Sequence, residues 1–149
     1  MSYASSDENL HEAMKRVYAD IVWIEENELR KSSFNDLSIK EIHAIIAITM
    51  YDHQTASEVA RKLHLTPGTL TTTVDRLVKK GYVRRIRGED DRRIIRLGLT
   101  KKGRLVYRAH DAFHRQMVRS FLKDLDPAEV KTIEKAIRNV EAFLEAHSD

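Results

Sequence analysis

Apolar residues recur along this chain at two different periods, and the periods mark its elements. Leu10, Met14, Val17, Ile21 and Ile24 follow one another at three- and four-residue steps. That is the spacing of one helix face, and it predicts a first helix from about Asp7 to Lys31, ended by the polar run SSFND. Ser38 with Glu41 three residues on is a capping box: the serine oxygen takes one free backbone N–H of the helix start and the glutamate takes another. It opens a second helix whose Ile42, Ile45, Ile46 and Ile48 require burial. Thr55 and Glu58 repeat the box before a third helix that buries Val59, Ala60 and Leu63. HLT turns the chain, and Thr66 caps a fourth helix with Pro67 at its first position, where a missing N–H costs nothing. Leu70, Val74, Leu77 and Val78 form its inward stripe, and Gly81 ends it as a left-handed residue beyond the C-cap.

After Gly81 the period falls to two. YVRRIR and RRIIRLGLT read as short strands and GEDD as the turn between them, which makes a hairpin. Thr100 caps a long fifth helix reaching about Leu122, with Leu105, Ala109, Phe113, Met117 and Phe121 on one face. Asp126, Pro127 and Glu129 start a sixth, which carries Val130, Ile133, Ile137, Val140 and Phe143 or Leu144. The predicted class is mainly α: six helices with a two-stranded β-hairpin, without internal repeats.

At 149 residues the chain can bury one real core. No apolar run approaches the ~18 residues of a membrane span, and the N-terminus has no apolar stretch of the signal-peptide kind. With no cysteine there is no disulfide, thiol nucleophile or thiolate metal site. These features point to a cytoplasmic protein that does not enter a membrane. No phosphate-cradling glycine loop, HExxH or GxSxG occurs, and the carboxylates are scattered over helix surfaces, so neither an enzyme nor a cofactor is expected.

The net charge of +3 hides an uneven distribution. Residues 55–104 hold 14 Lys/Arg against 5 Asp/Glu, a net of +9, and the remainder holds 12 against 18, a net of −6. A basic centre this concentrated is the footprint of a polyanion binder, although a solvated surface has the same composition.

Two short helices separated by a three-residue turn form a helix-turn-helix, and the basic hairpin after them is a wing. The second helix of such a pair lies in the DNA major groove. Its outward face would be Gly68, Thr69, Thr71, Thr72, Asp75, Arg76 and Lys79, with Thr66 at the cap. Threonine is a mediocre helix former, yet this helix carries four after its cap: Thr69, Thr71, Thr72 and Thr73. Contact explains them. Short hydroxyls let the backbone approach a duplex, where they reach phosphates or base edges and a threonine methyl can touch a thymine methyl. Gly68 removes bulk where the helix N-terminus would meet a phosphate. On the hairpin, Asp91, Arg92 and Arg93 fall at or just beyond the tip. An arginine there can enter the narrow minor groove, its guanidinium fixed by a forked pair with an acid two residues back. Arg84, Arg85, Arg87 and Arg96 on the strand flanks would contact phosphates. The plainer alternatives are a surface of indifferent threonines and a solvated hairpin laced with cross-strand ion pairs.

DRRIIRLGLTKKG and ASEVARKLHLTPGTLTTTVDRLVKKGYVRR resemble the wing and helix-turn-helix of the MarR family of winged helix-turn-helix regulators, and the resemblance extends over essentially the whole chain. Within that family, IEENELRKSSFNDLSIKEIHAI and LTKKGRLVYRAHDAFHRQMV look most like its repressors of fatty-acid synthesis. The resemblance implies a single domain, residues 1–149, with dimerisation helices in 1–37 and 105–149 and a winged DNA-binding region in 38–104. It implies an intertwined homodimer on a pseudo-palindromic operator, in keeping with the apolar stripes near both chain ends, and Asp91 and Arg93 match the family's wing-tip Asp-x-Arg. It further implies acyl chains on acyl carrier protein as the effector, acting as corepressor. That ligand needs an apolar tunnel, for which Val17, Ile21, Ile24, Ile45 and Phe113 are candidates, and a basic patch for the carrier, for which Arg108, Arg115 and Arg119 are candidates. An apolar stripe also suits a core or a dimer interface. A rival within the family answers to another small ligand or to zinc, since His110 and His114 lie four apart on a helix, with Glu41 or His43 as further ligands. A rival of another class is a nucleoid-type binder without preference for one palindrome.

Overall fold

The computed structural model describes residues 3–148, and its elements follow the predicted order: α1 Tyr3–Lys31, α2 Ile39–Ile48, α3 Ala56–Lys62, α4 Pro67–Lys79, β1 Val83–Arg87, β2 Ile95–Leu99, α5 Lys101–Phe121 and α6 Pro127–Ala146. Two boundaries differ from expectation. α1 begins four residues before Asp7, because nothing in YASS breaks a helix. β2 begins at Ile95, not Arg92: Ile94 N–H donates to Asp91 O at 3.1 Å and Gly88 N–H to Ile94 O at 3.0 Å, so the turn closes only at Ile94. Among the described residues no helix is long and apolar enough to cross a membrane.

The chain divides into two compact units, residues 1–44 and 45–149. In the first, Ser32 ends α1: its hydroxyl donates to Leu29 O at 2.8 Å and accepts from Phe34 N–H at 3.1 Å. The Ser38–Glu41 box forms as expected, with both bonds 3.1 Å long. Leu37, Ile42 and Ala44 are buried, as is Glu41.

The second unit holds the winged region. Ile45, Ile48, Val59, Val74, Leu77, Tyr82, Val83, Leu97 and Leu99 form its fully buried centre. Leu70 joins them, whereas Val78, at the edge of the predicted stripe, is exposed. The strands pair antiparallel from Val83↔Leu99 to Arg87↔Ile95. A third piece is added that the sequence pattern did not show: Leu97 N–H donates to Gln54 O at 2.8 Å, and Thr55 bridges Arg96. Gln54 also ties this piece to the end of α2, its side-chain amide donating to Ala47 O at 2.9 Å.

Two turns fix how α4 sits between its neighbours. Thr55 and Glu58 complete a capping box at α3. Its far end closes with His64 at φ 53° and a bond from Leu65 N–H to Ala60 O at 2.9 Å, a left-handed cap without a glycine. α4 ends with Gly81 at φ 86° and Tyr82 N–H on Leu77 O at 2.9 Å. Tyr82 carries the next junction. Its carbonyl accepts from Thr100 N–H at 3.0 Å, and α5 starts so close that a Cβ on Gly103 would lie 2.1 Å from the Tyr82 oxygen. The glycine of TKKG is therefore steric: only a bare backbone lets α5 begin against the end of α4.

Beyond that junction burial stops. On α5 only Gly103 and Val106 are buried, and on α6 no residue is. Leu105, Val118, Phe121, Ile137, Val140, Phe143 and Leu144 are exposed in the single chain.

Candidate nucleic-acid interface

α4 is held by one face and offers the other. Thr66 caps it, accepting from Thr69 N–H at 3.2 Å, with Pro67 in the first turn. Burial of Leu70, Val74 and Leu77 turns Gly68, Thr69, Thr71, Thr72, Arg76 and Lys79 outward, and all six are exposed. The threonines are accommodated by back-bonding, the local alternative that their hydroxyls offer a helix. Thr71 donates to Pro67 O at 2.9 Å, Thr72 to Gly68 O at 3.2 Å and Thr73 to Thr69 O at 3.1 Å. Gly68 is different. A Cβ there would meet nothing within 4 Å, so the fold places no demand for glycine at a position where glycine costs helix stability.

The hairpin leans on this helix through one ion pair. Arg85 Nη2 lies 2.5 Å from Asp75 Oδ1. Asp75 keeps the expected place on the outward face, its side chain 61% exposed, and Arg85, expected to contact a phosphate, is paired with it across the rim of the helix. Arg96, exposed on the other face of the hairpin opposite Ile86, donates to His53 O at 3.1 Å. The cause is strand alternation. Val83, Arg85 and Arg87 share the face of β1 that looks toward α4. Arg85 and Arg87 line, with Leu70, Val74, Ile95 and Leu97, a cavity of about 390 Å³. Arg84, opposite Gly98, and Arg87 are exposed.

At the wing tip the predicted fork is present. Arg93 donates from Nε to Asp91 Oδ1 at 3.1 Å and from Nη2 to Oδ2 at 3.3 Å, while its backbone N–H reaches Oδ1 at 3.0 Å. These bonds, the side-chain one first, hold the Asp91 carboxyl below its ordinary pKa. The Arg93 side chain is still 91% exposed, so the fork aims it without covering it. Arg92 stands exposed beside it.

The remaining candidates lie elsewhere. Val17, Ile21 and Ile24 share one face of α1, and Val17 and Ile24 are exposed. Ile45 is fully buried. Phe113 is half-buried, its ring edge-on to His114. None of these five lines the cavity under the hairpin. Arg108, Arg115 and Arg119 fall on one face of α5, and Arg115 is tied to Asp111 at 2.7 Å, which raises its pKa. The Nε2 atoms of His110 and His114 are 3.1 Å apart. Glu41 is engaged by its cap, and His43 Nε2 lies 3.8 Å from Glu25 Oε2. Sequence reasoning missed the Asp75–Arg85 pair and the cavity beneath it. The only available signal was opposite charges ten residues apart across a turn, which many non-contacting pairs share.

Comparison with known proteins agrees with this geometry. The family model described as MarR family matches residues 37–95. FabT of Streptococcus pneumoniae, solved in complex with DNA, is 40% identical; the match covers 93% of this chain and 97% of that one with a TM-score of 0.85. A MarR family protein from Bacillus stearothermophilus shares the fold at 18% identity, covering 97% of this chain and 99% of that one with a TM-score of 0.73. The HTH-type transcriptional regulator PchR of Bacillus subtilis is 25% identical over 112 residues, 73% of this chain and 66% of that regulator.

Proposed function

The chain belongs to the MarR family of winged helix-turn-helix transcriptional regulators, and from that premise we propose that it is a dimeric, sequence-specific repressor of fatty-acid synthesis genes that takes acyl-acyl carrier protein as corepressor. The likeness to a DNA-bound FabT carries this reading. α4 enters the major groove with Thr66, Gly68, Thr69, Thr71, Thr72, Arg76 and Lys79. The wing places Arg92 and the Asp91-braced Arg93 at the minor groove, and Arg84 and Arg87 reach phosphates. Asp75 and Arg85 act differently, fixing the hairpin to the helix so that both arrive at the duplex in one orientation.

Residues 1–37 and 105–149 supply the dimerisation helices, and the uncovered apolar positions of α5 and α6 support that part of the proposal. Two subunits related by a two-fold axis set two copies of α4 about one DNA turn apart, which matches a pseudo-palindromic operator. Val17, Ile21, Ile24, Ile45 and Phe113 take the acyl chain, and Arg108, Arg115 and Arg119 take the acidic carrier. A ligand shifts an equilibrium only through its different affinity for two states, so the acyl chain must bind best when the two α4 helices are correctly spaced. No catalysis or resident cofactor enters this scheme, and its place of action is the cytoplasm.

The test is fluorescence anisotropy on a lipid-synthesis promoter duplex, with long-chain acyl carrier protein, unacylated carrier, free fatty acid and zinc as separate additions. Tighter binding with the acylated carrier alone supports the proposal. Tightening by free fatty acid or by zinc, with no response to the carrier, overturns the corepressor. Equal affinity for promoter and random DNA overturns specific repression in favour of nucleoid-type binding.

A further inference from the structure

The threonines of α4 carry information about which part of DNA each can touch. Phosphate oxygens only accept hydrogen bonds, and so does the major-groove edge of guanine, which presents N7 and O6. A threonine can serve either only with a proton to give. Thr71 and Thr72 have given theirs to Pro67 O and Gly68 O. What remains on each is a methyl group and the lone pairs of an oxygen that accepts. Thr69 differs: its hydroxyl lies 2.9 Å from the Thr66 hydroxyl, which can donate to it and leave the Thr69 proton for another acceptor.

Position sharpens the distinction. At 100° per residue, Thr72 lies nearly opposite the buried Leu70–Val74–Leu77 stripe, at the centre of the exposed face. Thr71 lies on the flank toward the hairpin, where it borders the cavity lined by Arg85 and Arg87. Thr72 is thus the threonine set to meet base edges most directly, and it meets them as a methyl and an acceptor. One base pair offers the complement of both: A·T presents the thymine C5 methyl and the adenine N6 amino donor in the major groove. Breaking the back-bond to free a proton for phosphate or guanine would surrender about two- to tenfold in affinity.

We infer that Thr72 is a specificity-determining residue that selects an A·T pair, its methyl against the thymine methyl and its hydroxyl oxygen accepting from the adenine amino group, while Thr69 supplies the phosphate contact. The inference rests on the proposal that α4 enters the major groove.

The experiment pairs a protein change with a DNA change. A duplex selected from random DNA by the wild-type protein is resynthesised with uracil replacing thymine one position at a time, which removes the C5 methyl and leaves every base-pair hydrogen bond. At the contacted position uracil should weaken wild-type binding by about fourfold, the value of one buried methyl. Thr72→Ser, which keeps the hydroxyl and loses the methyl, should weaken binding to the thymine duplex by a similar factor and lose no more on the uracil duplex. Thr72→Val, which keeps the shape and loses the acceptor, should lose more affinity for the selected duplex than for random DNA and lose preference for adenine at that position. Uracil tolerated at every position, or a Thr72→Val loss shared equally by selected and random DNA, overturns the inference and leaves specific repression standing. Selection that yields no preferred duplex overturns both.

Discussion

α4 and α6 begin alike and end differently. Each opens on a side-chain cap, Thr66 or Asp126, followed at once by proline. α4 then buries Leu70, Val74 and Leu77 within its own unit and turns polar residues to solvent. α6 buries nothing, and Ile137, Val140, Phe143 and Leu144 stand exposed at helical spacing. The start signals are local and identical in kind, so they cannot say what a helix is for. The difference lies in what the outward face contains. α4 has a satisfied interior and an outward face of hydroxyls and cations suited to a wet polyanion. α6 has an outward face that water disfavours, suited to another apolar surface.

The strongest way to break this comparison is a charge on α6. Ile137 is 50% exposed in the single chain, so Ile137→Glu should leave the fold of one subunit intact. Within the proposed dimer the same carboxylate would be buried without a partner, at a cost on the order of 3–5 kcal/mol. Sedimentation should show monomers at concentrations where the wild type is paired, and operator affinity should fall by more than about a hundredfold, since one subunit engages only half of a palindrome. A variant that stays paired and binds DNA normally would place α6 outside the interface.

The same contrast explains what the sequence made legible. Capping boxes are patterns over four residues, and those at Ser38–Glu41, Thr55–Glu58 and Asp126–Glu129 all formed. The wing-tip fork spans only three residues and was legible for the same reason. Long-range choices were not. Whether Arg85 meets a phosphate or Asp75 depends on which face of β1 looks toward α4, and the bridge from Thr55 to Arg96 joins residues 41 apart. Left-handed turns at His64 and Asp124 escaped notice because the expected glycine is absent and only the surrounding chain enforces the geometry.

Gly68→Ala sharpens the comparison on the α4 side, because fold and function should respond in opposite directions. The new Cβ meets nothing within 4 Å, and alanine is the better helix residue, so the protein should gain roughly 0.5–1 kcal/mol, read as a higher midpoint in denaturant. If the helix start approaches a phosphate closely, the same methyl should weaken operator binding by about 1–2 kcal/mol, near the lower end of what a specific contact carries. A variant that is more stable and binds equally well would show that the glycine has no role in contact.

The smallest effect belongs to Asp91→Asn, and its sign is the informative part. Removing the carboxylate makes the wing tip one unit more positive, which by itself favours a polyanion. It also replaces the forked pair that aims Arg93 with an amide that holds it less firmly. We expect aim to win by a narrow margin, with operator binding about threefold weaker, because ordering a long side chain at the moment of contact costs free energy that the fork has already spent. The outcome should not vary between pH 5 and 8. Hydrogen bonds from Arg93 lower the Asp91 pKa below 3.8. The fork's contribution is therefore fully present above that value and is lost only as the pH falls through the lowered one. Throughout the neutral range the wild-type carboxylate stays ionised and the asparagine stays neutral, so their difference is constant. Tighter binding by Asp91→Asn would mean that net charge outweighs aim at the tip, and that the hairpin acts on DNA as α4's cations do, by attraction and not by fit.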